Sequence, residues 1–208
     1  MLRALLLALV FAQTASLAWA GAQREEALAA SVQAALSKAV SDQAAGRPSA
    51  IHEGEARVWL AIMSSRLAAR MPDARQRQDF LQTVFYEATR AGLDPQLVLG
   101  LIQVESGFRK YAVSLAGARG FMQVMPFWIK AIGNGDHNLF HLRTNLRYGC
   151  TILRHYLDIE KGDLYRALGR YNGSLGRPEY PNAVLAAWKK HWAYEADEGV
   201  RVANAATR

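Results

Sequence analysis

The chain has 208 residues, carries a formal net charge of +7 and is 51% apolar. That length fits one compact domain with an extension, and the single cysteine, Cys150, excludes an intramolecular disulfide, so the fold must rest on its core. The positive balance suits a polyanionic partner, whereas basic residues scattered along the sequence, rather than gathered in one patch, argue against a nucleic-acid-binding surface.

From the start of the chain, Arg3 is the only charge before Arg24, and Ala4 to Ala12 is an uninterrupted apolar run closed by Gln13 and Thr14. The run is too short to cross a bilayer, which takes about 20 residues. Ala18-Trp19-Ala20 then brings small residues to a cleavage-site pattern, and the reading is a secretory signal peptide over residues 1–20, with Gly21 as the first residue after it. No cysteine stands at the position just after the cleavage site, so a lipid anchor is not indicated. Loss of Arg3 leaves +7 minus 1, or +6.

Residues 21–75 read as an N-terminal helical extension. Arg24 to Ala45 is Ala-rich and helix-prone up to Gly46-Arg47-Pro48-Ser49, and a second helix is expected from Glu55 to Met71, stopped by Pro72. The heptads are too few and too Ala-rich for a coiled coil, which leaves a packed or tethered helix. Residues 76–195 read as the principal domain. Phe80, Leu81, Val84, Phe85 and Ala88 recur at helical spacing before Gly92. A short helix then follows Asp94, with an N-cap Asp, Pro95 at the first helical position and Gly107 as a stop. Arg143 to Glu160 carries Leu146, Cys150, Leu153 and Leu157 on one stripe, on which Cys150 is most simply a buried apolar thiol. Asp163–Tyr171 and Pro181–Trp192 give two more helices, and residues 196–208 read as a tail. No strand-like alternation or fixed repeat appears, so the fold class expected is all-α.

Glu105 breaks the pattern of its own helix. The residues three, four, seven and eight positions before it, Ile102, Leu101, Val98 and Leu97, share its face and all are apolar. Desolvation there, and the negative end of the helix dipole in the last turn, both raise a carboxyl pKa. A carboxyl group still protonated near neutral pH is what a general acid needs to cleave a glycosidic bond. The bland alternative is a structural carboxylate paired with Arg109 or Arg119.

The surrounding residues bear on that choice. Glu105-Ser106-Gly107-Phe108, then Ser114, then the run from Gly117 to Pro126 resemble the catalytic core of the lytic transglycosylases, whose soluble-lytic-transglycosylase (SLT) domains share the goose-type lysozyme fold. Asn145-Leu146 with Gly149 resembles the family's helix start, the segment from Gly162 to Gly173 its Ala-Leu-x-x-Tyr-Asn stretch, and Tyr180-Pro181 with Val184 its closing motif. The resemblance covers roughly Phe80 to Trp192. Phe121 stands where the family usually has Leu, an apolar swap. Arg170 stands where a small residue is usual and would bring a charge beside the site.

The resemblance implies a lysozyme-like helical domain that acts on peptidoglycan strands, between N-acetylmuramic acid and N-acetylglucosamine, in the periplasm. It implies Glu105 as acid and then base, Ser114 near the acid, Gln123 and Met125 lining the sugar site, and Tyr171 with Asn172 across the cleft. No cofactor, metal or transmembrane segment is expected in the mature chain. Read alone, Met125 is core filler, Tyr171 a helix aromatic, and Ser114 and Asn172 loop or capping residues. A two-carboxylate glycosidase lacks its partner here, because no Asp or Glu occurs from Ser106 to Gly135; substrate-assisted cleavage does without one. His137 and His141 lack the Glu of the zinc-protease pattern, and Gly173-Ser174-Leu175-Gly176 is one residue short of a nucleophile elbow. Hydrolysis of the goose-lysozyme kind and a non-catalytic wall-binding module are the rival functions.

Overall fold

A computed structural model describes residue 23 and residues 25–41 and 50–194. Among them the chain is helical, with α1 Ala30–Val40, α2 Ala50–Leu67, α3 Ala74–Arg90, α4 Pro95–Ser106, α5 Phe127–Ile132, α6 Leu142–Ile159, α7 Leu164–Asn172 and α8 Glu179–Ala187, followed by a π-helical turn Trp188–Trp192. The only strand-like pairings among these residues are isolated bridges of Val113 with Arg119 and Arg119 with Val124. The expected signal peptide and C-terminal tail lie outside the described residues.

Local chemistry explains most helix ends. Asp73 caps α3 by accepting from the Gln76 N–H at 2.6 Å, Asp94 caps α4 through Gln96 at 2.7 Å, and Asp163 caps α7 through Arg166 at 3.0 Å. Helix α4 ends at Gly107 in the left-handed region, φ 56°. Leu97, Val98, Leu99, Leu101 and Ile102 are all buried, so the middle of α4 is enclosed on every side and sits at the centre, against α3, α8 and the π-turn. The N-terminal helices are packed: α1 lies on α5 and α6, and α2 on α3 and the π-turn. Helix α1 is shorter than Arg24–Ala45, because residues 25–29 are not helical, and α2 starts earlier than Glu55. Helices α3 and α6 meet around Glu87, which is fully buried and bonded by Arg147 at 3.1 Å, with Arg90 and Arg143 at 3.4 Å. Cys150 is buried as expected, and burial pushes its thiol pKa up.

The loop between α4 and α5 is held by Asn145 of α6. Its amide oxygen accepts from the Met122 N–H at 2.8 Å, and its amide nitrogen donates to the carbonyls of Arg119 and Leu139, both at 2.8 Å. Gly149, one turn on, lets the loop approach; a Cβ there would lie 2.4 Å from the Met122 sulfur. Asn145→Ala takes the partner from the Met122 N–H and the Leu139 carbonyl, while the Arg119 carbonyl keeps the Val124 N–H at 3.0 Å, and we expect a loss of about 2 kcal/mol in urea unfolding with the slope unchanged. A loss under about 0.5 kcal/mol, the size of an ordinary surface substitution, would contradict this account.

Tyr148, Tyr156, Tyr171 and Tyr180 are all buried. Burial pushes the hydroxyls of Tyr148 and Tyr156 up to about 12, and those of Tyr171 and Tyr180 well above their ordinary value. A pKa raised on folding contributes stability that is whole below the unfolded value of about 10 and is lost as pH rises towards the folded one. The melting temperature should therefore fall steadily above about pH 10, with each tyrosine contributing roughly 1.4 kcal/mol per pH unit. The tyrosinate absorbance of these four residues should appear only as the protein unfolds, and their ionisation in the folded state would refute the assignment.

Candidate functional site

Glu105 lies in the last turn of α4 with 3% of its surface exposed. The apolar stripe read from the sequence is the cause, since Val98, Leu101 and Ile102 around it are fully buried. Its Oε1 accepts a hydrogen bond of 2.5 Å from the hydroxyl of Tyr180, near the start of α8. Ser106, beside it, donates through its hydroxyl to the Phe121 carbonyl at 2.7 Å, which joins the end of α4 to the following loop. Arg109 donates to the Ser106 carbonyl at 2.9 Å, and Arg119 lies over the ring of Phe140.

Tyr171 projects from α7 and donates to the Met122 carbonyl at 2.7 Å. Burial, and after it the charge of Glu105, hold both Tyr171 and Tyr180 in the neutral form. The ends of α4, α7 and α8 thus converge on one carboxyl group, with two neutral phenols beside it. A buried acceptor with a neutral phenol donating to it can hold either a proton or a negative charge.

Gln123 follows Met122 and adopts a left-handed backbone, φ 48°, which is uncommon for a side chain of its size. Its amide nitrogen donates to the carbonyls of Ala112 at 3.1 Å and Gly120 at 2.9 Å, while its buried Oε1 has no hydrogen-bond partner. Asn172 is similar: its Nδ2 donates to the Ser174 hydroxyl at 3.1 Å and its buried Oδ1 is unpartnered. Unpaired buried acceptors cost free energy and are kept where an external donor can complete them. Ser114 is engaged in its own turn, where its hydroxyl oxygen accepts from the Ala118 N–H at 3.1 Å. Met125 is half-buried, and its N–H donates to the Gln23 Oε1 at 3.3 Å. Trp128 donates to the same oxygen at 3.0 Å, so the segment before α1 reaches the wall that carries Met125.

Two residues of this arrangement were not assigned roles from the sequence. Tyr180 was visible only as part of a motif, because no periodicity links residues 75 positions apart. Gln23 carries no sequence signal that separates it from its surroundings. The charge on Arg170 is met by Glu160 at the end of α6, so it makes an ion pair on the α6–α7 turn. Arg166 first, and Arg170 after it, hold the Glu160 carboxyl below the ordinary range.

Among the described residues no cluster of three or more His, Cys, Asp or Glu side chains is placed to hold a metal. His137 meets the Tyr148 hydroxyl at 2.7 Å, and His141 stands at the N-cap of α6.

Residues 82–184 match the sequence profile of the Transglycosylase SLT domain, an interval that contains Glu105, Asn145, Tyr171 and Tyr180. The transglycosylase of Enterobacteria phage PRD1 is 33% identical over 111 residues, which cover 50% of this chain and 41% of that protein. The membrane-bound lytic murein transglycosylase C of Actinobacillus pleuropneumoniae serotype 5b (strain L20) is 41% identical over 76 residues, 36% of this chain and 20% of that one. The protein of the same name from Histophilus somni (strain 2336) is 45% identical over 53 residues, 26% of this chain and 15% of its own. This chain therefore spans less than half the length of the relatives it matches. With the motifs in order along an all-α chain of the lysozyme-like kind, the protein belongs to the Transglycosylase SLT-domain family.

Proposed function

We propose that the protein is a peptidoglycan lytic transglycosylase that cleaves the β-1,4 bond between N-acetylmuramic acid and N-acetylglucosamine, with Glu105 as its only catalytic carboxyl group. The observation that carries this reading is Glu105 itself, enclosed at 3% exposure, hydrogen-bonded by Tyr180, and followed by no other acid until Asp136. In the first step the Glu105 proton moves to the bridging oxygen, the bond from that oxygen to muramic C1 breaks, and the acetamido oxygen of the same sugar stabilises the cation. In the second, the Glu105 carboxylate takes the proton of the C6 hydroxyl as O6 closes onto C1. The product carries a 1,6-anhydro ring, no water is consumed, and Glu105 ends protonated as it began.

Tyr180 suits this double role. Burial and the helix end favour the neutral carboxyl, while the tyrosine hydrogen bond favours the carboxylate, so neither form is prohibitive. In the same reading Gln123 and Asn172 offer their open acceptors to sugar hydroxyl or acetamido N–H groups, Met125 and Tyr171 line the sugar site, and Ser114 shapes the loop beside the acid. Residues 76–195 form the catalytic domain, residues 21–75 an extension laid against it, and residues 1–20 direct export to the periplasm. None of the described helices is long and apolar enough to cross a membrane.

The second reading, hydrolysis of the goose-lysozyme kind, uses the same acid with water as acceptor. Mass spectrometry of the muropeptides separates the two, because anhydro ends are lighter than reducing ends by one water, about 18 mass units. Reducing muramic ends as the main product would install the hydrolase, and intact cell wall at every pH would leave a non-catalytic module. Glu105→Gln should lower turnover by about a thousandfold or more with the melting temperature at pH 7 equal or higher. A clear drop in melting temperature would point to a structural ion pair instead.

Tyr180→Phe removes a donor to the charged form of Glu105. The acid-dependent limb of kcat/KM should therefore move to higher pH, with turnover down about tenfold. Tyr171→Phe should lower kcat more than it raises KM. An unmoved limb in a folded Tyr180→Phe protein would remove Tyr180 from the mechanism.

A further inference from the structure

Gln23 stands well outside the interval that matches the family, residues 82–184, and yet it is packed against that interval with 4% of its surface exposed. Its Oε1 accepts two hydrogen bonds at once, from the Met125 N–H at 3.3 Å and from the Trp128 indole at 3.0 Å. Trp128 is buried and packs on Phe127, His155 and Tyr156, so this end of the amide is fixed to the start of α5. The other end turns elsewhere. Nε2 is buried and makes no hydrogen bond of normal geometry, but it lies near enough to the Tyr171 hydroxyl to act on it. Burial first, and the charge of Glu105 second, push that hydroxyl pKa up, and the Gln23 amide opposes them. An amide opposes such a rise by turning an N–H toward the phenolic oxygen. Tyr171 gives its own proton to the Met122 carbonyl at 2.7 Å, so its oxygen keeps lone pairs to receive one.

We infer that Gln23 is a positioning residue of the catalytic site: one amide, from the segment before α1, holds Met125 by its oxygen and Tyr171 by its nitrogen and so sets the spacing of these two side chains. This rests on the function proposed above, in which both line the sugar site. Gln23 itself touches no sugar and acts through the residues it holds. Glutamine suits the task because it carries an acceptor and a donor on one rigid plane. Glutamate has the same shape and keeps the acceptor, but it presents an oxygen to Tyr171 in place of an N–H. Alanine removes both ends. Binding of a glycan is shared among many contacts, whereas proton transfer at Glu105 depends on placement to within about 1 Å, so a loosened wall should show in rate before affinity.

The test measures cleavage of a soluble peptidoglycan tetrasaccharide by the whole protein, with kcat and KM taken separately and melting temperatures confirming the fold. Gln23→Ala should lower kcat about tenfold and leave KM within about twofold. Gln23→Glu should lower kcat about fivefold in the native background but less than about twofold where Tyr171→Phe is already present, because both changes interrupt one contact. If Gln23→Ala does not fold, Gln23→Glu carries the test. Gln33 donates to the Ala131 carbonyl of α5 at 2.7 Å from the exposed side of the same N-terminal segment and serves as the control. Gln33→Ala should leave kcat unchanged, and an equal loss there would reduce the effect of Gln23 to docking of the extension and overturn the inference. Parental kcat in a folded Gln23→Ala protein overturns it as well, and so does full additivity of Gln23→Glu with Tyr171→Phe. A parent that cleaves nothing sinks the function proposed above; the contact is then read from hydrogen exchange of the Trp128 indole N–H, whose protection should fall in Gln23→Ala, and unchanged protection would sink the contact too.

Discussion

A carboxyl group in the last turn of a fully enclosed apolar helix is disfavoured twice when charged, once by lost hydration and once by the helix dipole. The hydroxyl of Tyr180 supplies what water would have supplied, at 2.5 Å from the Glu105 oxygen. It does so from α8, so the central helix and the helix packed along it are joined by a polar contact inside an otherwise apolar interface. Burial keeps that hydroxyl neutral and therefore a donor. Much of the surrounding architecture is arranged so that Tyr180 and Glu105 meet with nothing larger between them.

A second set of contacts, centred on Met122, gives that pair a wall. Its N–H is bonded by Asn145 and its carbonyl by Tyr171, so one loop residue is fixed at both ends by helices α6 and α7. Gln123 is then placed in a left-handed conformation with an amide oxygen left open. The strain is local, and the bonds of Asn145 to Arg119 and Leu139 on either side sustain it. Under the proposed function, an open acceptor on so firmly held a backbone is a preorganised point for a substrate donor.

How much of this could be read beforehand depended on the range of the physics involved. Asp94, Pro95 and Gly107 define α4 within a residue because capping acts over one turn, and Asp163 and Gly173 do the same for α7. The burial of Glu105 followed from helical spacing alone. Helix α5, only six residues long, has no period to detect, and the change to a π-helical turn at Trp188 is imposed by packing. The expected first helix ran past its observed ends because Ala-rich sequence favours helix wherever nothing tertiary intervenes, whereas here residue 23 is committed to Trp128. Arg170 read as a charge beside the site, since its partner Glu160 lies past the end of another helix, α6. Tyr180 was visible as a matching residue, but its meeting with Glu105 is a tertiary fact.

The contacts that close the centre join distant parts of the chain. Trp192 donates to Gln103, 89 residues earlier, and Arg66 donates to the His191 carbonyl across 125 residues. Local helices such as α3 and α4 can form as soon as they are made, yet the surfaces of α4 that face α8 and the π-turn stay wet until the last of these segments has arrived. While the chain emerges, then, Glu105 lies in water, and the enclosed carboxyl comes into being only once α8 and the π-turn have packed against α4.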